Sequence, residues 1–221
     1  LKRARLAVLV SGRGRNLSAL AAACADGRIA ADIVRVGSDR PAAAALELAR
    51  AAGLNTVALP PADYPDRQAF DRALLDALQA AKPDYLLLAG YMRILSADFV
   101  AAWRGRMLNI HPSLLPRHPG LHTHRRVLEA GDREHGATVH FVTEALDAGP
   151  AVIQGGFSVR PEDGEQALAE RVMNEVELRI YPQAVAWLAR GELRLDGDRA
   201  VLRDLPLDRP LGLDALEPAF R

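Results

Sequence analysis

The chain is short of three things: cysteine, net charge and long apolar runs. Cys24 is alone, so no intramolecular disulfide can form, and no base adjoins it in sequence; a packed core thiol is its expected role. The 28 Lys and Arg residues are matched by 28 Asp and Glu. That balance removes the electrostatic case for nucleic acid or an anionic membrane as partner, though it leaves room for a local basic pocket. The longest apolar stretches are too short to span a bilayer. The start, Leu1-Lys2-Arg3-Ala4-Arg5, reads directly into a strand and not as a secretory leader, so a cytoplasmic protein is expected. No internal repeat and no flexible linker interrupts the 221 residues, of which 49% are hydrophobic and 25% charged. A single domain over 1–221 is expected, with a short C-terminal extension from about 191.

What is present reads as alternating strands and helices. Leu6 to Val10 is a continuous apolar run, Ser11 to Asn16 a glycine turn, and Leu17 to Asp26 an alanine-rich helix. Strands follow at Ile33–Val36, Thr56–Leu59, Tyr85–Leu88 and Met107–Ile110. Helices are expected at Pro41–Ala52, with Pro41 in its first turn and Gly53 as its stop, and at Arg67–Ala81. Strands that are apolar on both faces argue for an α/β fold, a Rossmann-like, mostly parallel sheet with helices on both faces. Beyond His111 the texture changes. Pro116–Arg126 reads as a loop, Thr138–Val142 and Ala151–Phe157 as strands, and Glu165–Ala189 as a long helix with a break at Pro182. The isomer of the prolines around Pro116 is left open by the sequence, trans being the commoner form.

Chemistry concentrates at Asn109-Ile110-His111-Pro112-Ser113-Leu114-Leu115-Pro116. Side chains alternate along a strand, so Asn109 and His111 share a face. An amide donor beside a titratable imidazole suits acyl transfer, one group holding an oxyanion and the other moving protons; a solvated histidine at a strand end is the plainer alternative. All six histidines fall between His111 and His140. His111 and His140 sit in apolar strand contexts and are the candidates for buried, working groups, whereas His118 and His135 read as solvated loop residues. A metal site would start from His122 and His124, but no cysteine accompanies them, and no metal is expected. Asp147, on the turn Glu144–Pro150, is placed to reach a histidine on a neighbouring strand end, and a carboxylate there favours the imidazolium; a solvated turn aspartate is the competing reading. Upstream, Gly12-Arg13-Gly14 between a strand and a helix suits a phosphate, with Asn16 as helix cap. It lacks the third glycine of a dinucleotide site, since Leu17 stands there, and the lysine of a P-loop. A plain tight turn therefore competes with a phosphate site.

Taken in order, Ser11-Gly12-x-Gly14-x-Asn16, Gly90-Tyr91-Met92-Arg93-Ile94-Leu95, the Asn109–Pro116 motif, Pro119-Gly120-Leu121-His122-Thr123-His124, His140-Phe141-Val142 and Asp147-x-Gly149-Pro150 resemble the phosphoribosylglycinamide formyltransferases of the folate-dependent formyltransferase superfamily. The likeness runs from about Leu6 to about Leu193. It implies the formyltransferase fold and transfer of the formyl group of 10-formyltetrahydrofolate, as co-substrate, to the amine of glycinamide ribonucleotide in purine biosynthesis. Asn109, His111 and Asp147 would be catalytic. Gly14, Arg15 and Asn16 would hold the substrate phosphate, and Glu177 its glycinamide end. Arg67, Met92, Arg93, Ile94, Leu95 and Asn109 would line the folate pocket, with Thr143, Glu144, Ala145, Leu146 and Asp147 around the pterin. Small-molecule substrates are the expected partners, on a monomer or homodimer. Two departures qualify the match: Arg15 replaces a small polar residue, and the helix near Glu177 carries one extra residue, which makes Glu175 a competing assignment. Related rivals are a methionyl-tRNA formyltransferase, expected to carry a further C-terminal domain and a basic surface, and a formyltetrahydrofolate hydrolase, expected to carry an extra N-terminal domain.

Overall fold

A computed structural model describes residues 3–221, so Leu1 and Lys2 of the opening segment lie outside the described residues. The fold is α/β, with a mostly parallel seven-stranded sheet. Two compact units meet in sequence between Leu108 and Asn109.

The first unit holds β1 (Ala4–Val10), α1 (Arg15–Ala25), β2 (Ala31–Ser38), α2 (Ala44–Ala51), β3 (Thr56–Ala58), α3 (Arg67–Gln79), β4 (Tyr85–Leu88) and α4 (Ala97–Ala102). β1 pairs in parallel with both β2 and β4, and β2 in parallel with β3. Leu6 through Val10 are all fully buried, so both faces of β1 are covered, which explains the lack of alternation in its sequence. α2 starts at Ala44, with Pro41 in the turn before it and not in its first turn. α4 was not anticipated. Its six residues are too few to show a helical period, but Ser96 caps it by accepting from the Phe99 N–H.

The second unit opens on the end of β5 (Met107–His111) and continues with α5 (Thr123–Ala130), β6 (Glu134–Phe141), β7 (Ala151–Ser158), α6 (Glu165–Arg171) and α7 (Leu178–Ala189). β6 and β7 are antiparallel. The expected loop over Pro116–Arg126 ends earlier, because Thr123–Arg126 already belong to α5. The Leu115–Pro116 peptide is cis, which resolves the isomer that the sequence left open. The long helix is not broken at Pro182, which lies buried inside α7. Its irregularity is the π-helical turn Val172–Glu177 between α6 and α7. A π turn accommodates one added residue within a helix, in keeping with the extra residue that the resemblance implies near Glu177.

The tail forms a three-stranded antiparallel sheet from β8 (Leu193–Asp196), β9 (Arg199–Leu202) and β10 (Leu205–Pro206). Glu217 fixes it to α7. Its Oε1 accepts from Trp187 Nε1 at 3.0 Å and from Arg190 and Arg203, and its backbone N–H donates to Gln183 Oε1 at 2.7 Å.

Candidate active site

In the first unit, β1 delivers the glycine turn to the start of α1. Gly14 is the helix N-cap at φ +81°, a left-handed conformation, and a Cβ there would lie 2.8 Å from the Cα and Cβ of Ala45. Both facts require glycine. Asn16 lies in the first turn and is not the cap. The cap residue has no side chain to bond this helix end and no acidic residue sits in its first turn; a helix start of this kind is compatible with an anion. Ser11 ties the turn to the Gly90–Leu95 segment: its N–H donates to the Gly90 carbonyl, and its Oγ donates to buried Asp39 and accepts from the Met92 N–H. α3 holds the other end of that segment. Arg67 donates to the Ile94 carbonyl at 2.6 Å, Asp71 accepts from the Ser96 N–H at 2.7 Å, and the Arg93 guanidinium stacks over Phe70. Met92 and Ile94 remain 54% and 60% exposed.

The second unit brings Asn109, His111, His140 and Asp147 together. His140, on β6, is buried, and that burial lowers its pKa and keeps the ring neutral. Its Nδ1 donates to the Phe141 carbonyl at 2.9 Å, so its Nε2 carries the lone pair. The Asn109 Nδ2 lies 3.2 Å from that Nε2 and donates to it, which fixes the amide's orientation and leaves its second N–H for another acceptor. His111 is buried, with Nδ1 3.4 Å from Asp147 Oδ2 and Nε2 3.0 Å from the His118 carbonyl. Asp147 adopts φ +51° and is held by the Gly120 N–H, 2.7 Å from Oδ2. Its loop closes tightly at Gly149, where a Cβ would fall 1.8 Å from the Phe141 carbonyl oxygen. Thr143 Oγ1 donates to the Ala145 carbonyl, while Glu144, Ala145 and Leu146 are exposed.

The π turn separates the two acidic candidates. Glu177 is buried, whereas Glu175 faces outward and pairs with Arg171, Nε to Oε1 at 2.9 Å.

The other histidines depart from the sequence reading. His135 is buried on β6 and not solvated, and its Nε2 lies 2.8 Å from His124 Nδ1. His118 is half-buried against Asp132. His124 thus pairs with His135 and not with His122. Among the described residues no group of three or more His, Cys, Asp or Glu side chains is arranged to hold a metal. Reasoning from sequence missed the link between His140 and Asn109, although the apolar setting of His140 had marked it as a buried group. It also missed Asp132, for which only the preceding helix-stop glycine, Gly131, gave a signal.

The formyl transferase family model matches residues 4–185. The phosphoribosylglycinamide formyltransferase of Escherichia coli is 45% identical over 89% of this chain and 92% of its own. The solved phosphoribosylglycinamide formyltransferase of Coxiella burnetii superposes with a TM-score of 0.89 at 39% identity, covering 95% of this chain and 99% of that one. A formyltetrahydrofolate deformylase from Burkholderia mallei superposes with a TM-score of 0.80 at 29% identity, but only 70% of that chain is covered.

Proposed function

Because the chain belongs to the formyl transferase family, we infer that it moves the formyl group of 10-formyltetrahydrofolate to the primary amine of glycinamide ribonucleotide, a step of purine biosynthesis. The cluster of Asn109, His111 and Asp147 around neutral His140 carries the mechanistic part of this reading. The amine lone pair attacks the formyl carbon and the carbonyl electron pair moves onto oxygen. The Asn109 N–H not used by His140 and the His111 Nε2–H stabilise that oxyanion. Collapse breaks the bond to the folate nitrogen, which takes up a proton as the amine gives one up, and Asp147 steadies His111 and relays that proton. An amine is already nucleophilic, so Cys24, buried and with its thiol pushed up to about 11 by desolvation, has no part.

Gly14, Arg15 and Asn16 are assigned to the substrate phosphate, supported by the uncapped start of α1. Glu177 is assigned to the glycinamide end, ahead of Glu175, because Glu175 is spent on Arg171. Arg67, Met92, Arg93, Ile94 and Leu95, with Asn109, and Thr143, Glu144, Ala145, Leu146 and Asp147 are assigned to folate. Residues 1–221 are read as one functional domain. The enzyme is assigned to the cytoplasm, working on small molecules; no helix is long and apolar enough to cross a membrane among the described residues.

Formyl transfer from 10-formyltetrahydrofolate to glycinamide ribonucleotide, with hydrolysis measured alongside, tests the activity; hydrolysis without transfer would make this a deformylase. Asn109→Ala and Asp147→Asn should fold normally and lose turnover by roughly 100- to 1000-fold, the usual cost of an oxyanion donor. Near-normal kcat in either would sink the catalytic assignment.

A further inference from the structure

His111 has two acceptors on opposite edges of its ring, Asp147 at Nδ1 and the backbone carbonyl of His118 at Nε2. A carbonyl only accepts, so the second contact requires a hydrogen on Nε2. Asp147 alone would satisfy the ring through Nδ1–H and leave Nε2 as a lone pair, which cannot donate to an oxyanion. The His118 carbonyl therefore selects the protonation pattern that the reaction needs. Its own position is not set by regular structure: His118 lies in the loop before α5 at φ +52°.

What holds it is Asp132. Asp132 Oδ2 accepts from His118 Nε2 at 2.6 Å, and Oδ1 pairs with the Arg117 guanidinium. Two consecutive side chains are thus tied to one carboxylate, and the carbonyls of the same two residues receive the side chains of the catalytic motif. Arg117 O accepts from Ser113 Oγ at 2.7 Å, and His118 O accepts from His111 Nε2. The carboxylate is itself well anchored. α5 ends on Gly131 at φ +66°, and the next N–H, that of Asp132, turns back to the Val127 carbonyl at 3.1 Å. The bond from His118 holds the Asp132 carboxyl below its ordinary range, so it stays ionised and a constant acceptor.

We propose that Asp132 is a positioning residue for the formyl transfer, fixing through His118 the carbonyl that keeps a hydrogen on His111 Nε2. This rests on the catalytic role assigned to His111 above. In the resting enzyme the His118 carbonyl accepts that hydrogen. The formyl oxyanion, carrying more charge than a neutral carbonyl, takes over as its acceptor in the transition state while the carbonyl stays in place.

The test compares Asp132→Ala, Asp132→Asn and His118→Phe by steady-state kinetics, with nitrogen-15 NMR of the His111 ring at pH 7. Asp132→Ala should lower kcat by about 10- to 100-fold, the scale of a displaced catalytic group, with KM for both substrates within about twofold of wild type on the differential-binding argument. His111 Nε2 should lose its hydrogen in that variant. Asp132→Asn, which keeps an oxygen for His118, should recover part of the loss. His118→Phe cuts one tether without touching Asp132 and should move both readouts in the same direction, which covers the case that Asp132→Ala misfolds. Unchanged kcat and an unchanged Nε2–H in Asp132→Ala, or in His118→Phe if the first does not fold, would overturn the proposal. His111→Ala serves as the separate arm: wild-type turnover there would overturn the assignment of His111 itself, whereas an inactive His111→Ala beside a normal Asp132→Ala would overturn only the role of Asp132.

Discussion

Single atoms set the tolerances of the proposed catalytic cluster, and Gly149 shows how narrow they are. The Phe141 carbonyl accepts from His140 Nδ1, which fixes the lone pair on His140 Nε2 and so the orientation of the Asn109 amide. Gly149 packs so closely on that carbonyl that a methyl group there would sit 1.8 Å from the oxygen. Gly149→Ala must therefore displace either the carbonyl or the loop bearing Asp147. Overpacking of this kind costs about 1–3 kcal/mol of stability. The kinetic loss should exceed the stability loss, because both the Asn109 and Asp147 ends of the cluster move. Denaturant melts and kcat on the same preparation check this; a destabilised variant with unchanged kcat would show that the loop, and not the catalytic geometry, absorbs the methyl group. At this scale much was legible in the sequence. Asn109 and His111 were marked by strand alternation next to an apolar run, and Asp147 by its turn. His140 as the orienter of Asn109 was not legible, since a bond between side chains 31 positions apart depends on the pairing of strands and leaves no spacing to read.

Among the elements, the strands of the first unit were readable because burial on both faces writes itself as unbroken Val and Leu runs. Short elements and their ends were less so: α4 is too brief for a period, and α5 begins inside a segment whose prolines, glycine and histidines read as loop. The helix before Tyr181 is the instructive case. In the sequence Pro182 reads as the weak point, yet the deformation lies at Val172–Glu177. A π turn spreads one added residue over a full turn and lets the flanking segments keep their buried faces. Val172, Val176, Ile180 and Ala184 are all buried, and Asn174 is exposed. Removing Asn174 leaves Val172, Val176 and Ile180 at spacings of three and seven, which one face of an ordinary α-helix accepts. Deletion of Asn174 should therefore lower Tm by much less than deletion of Ala184, which would rotate the rest of α7 out of its packing. Equal losses in the two deletions would show that the π turn is not where the extra residue is absorbed.

For the molecule as a whole, the buried histidines set the acid limit of stability. Burial, with neighbouring His124 adding to it, lowers His135 from 6.5 to about 4, and burial also lowers His124 and His140. All three are held neutral in the folded chain, while in the unfolded chain they take up protons below about pH 6.5. Between pH 6.5 and pH 4 the unfolded state therefore binds more protons than the folded one, and lowering the pH favours unfolding. Stability is complete above about pH 6.5 and falls through that window, before carboxylates such as Asp132, held below 3.8, begin to be neutralised. His135 alone should account for on the order of 2 kcal/mol between pH 7.5 and pH 5 by linkage. Urea unfolding at those two pH values should show a clearly lower midpoint at pH 5. His135→Gln should flatten the dependence without abolishing it, since His124 and His140 remain. A midpoint that does not move between pH 7.5 and pH 5 would mean that these rings are accommodated as cations in the fold. In that case the neutral His140 on which the orientation of Asn109 depends would have to be abandoned as well.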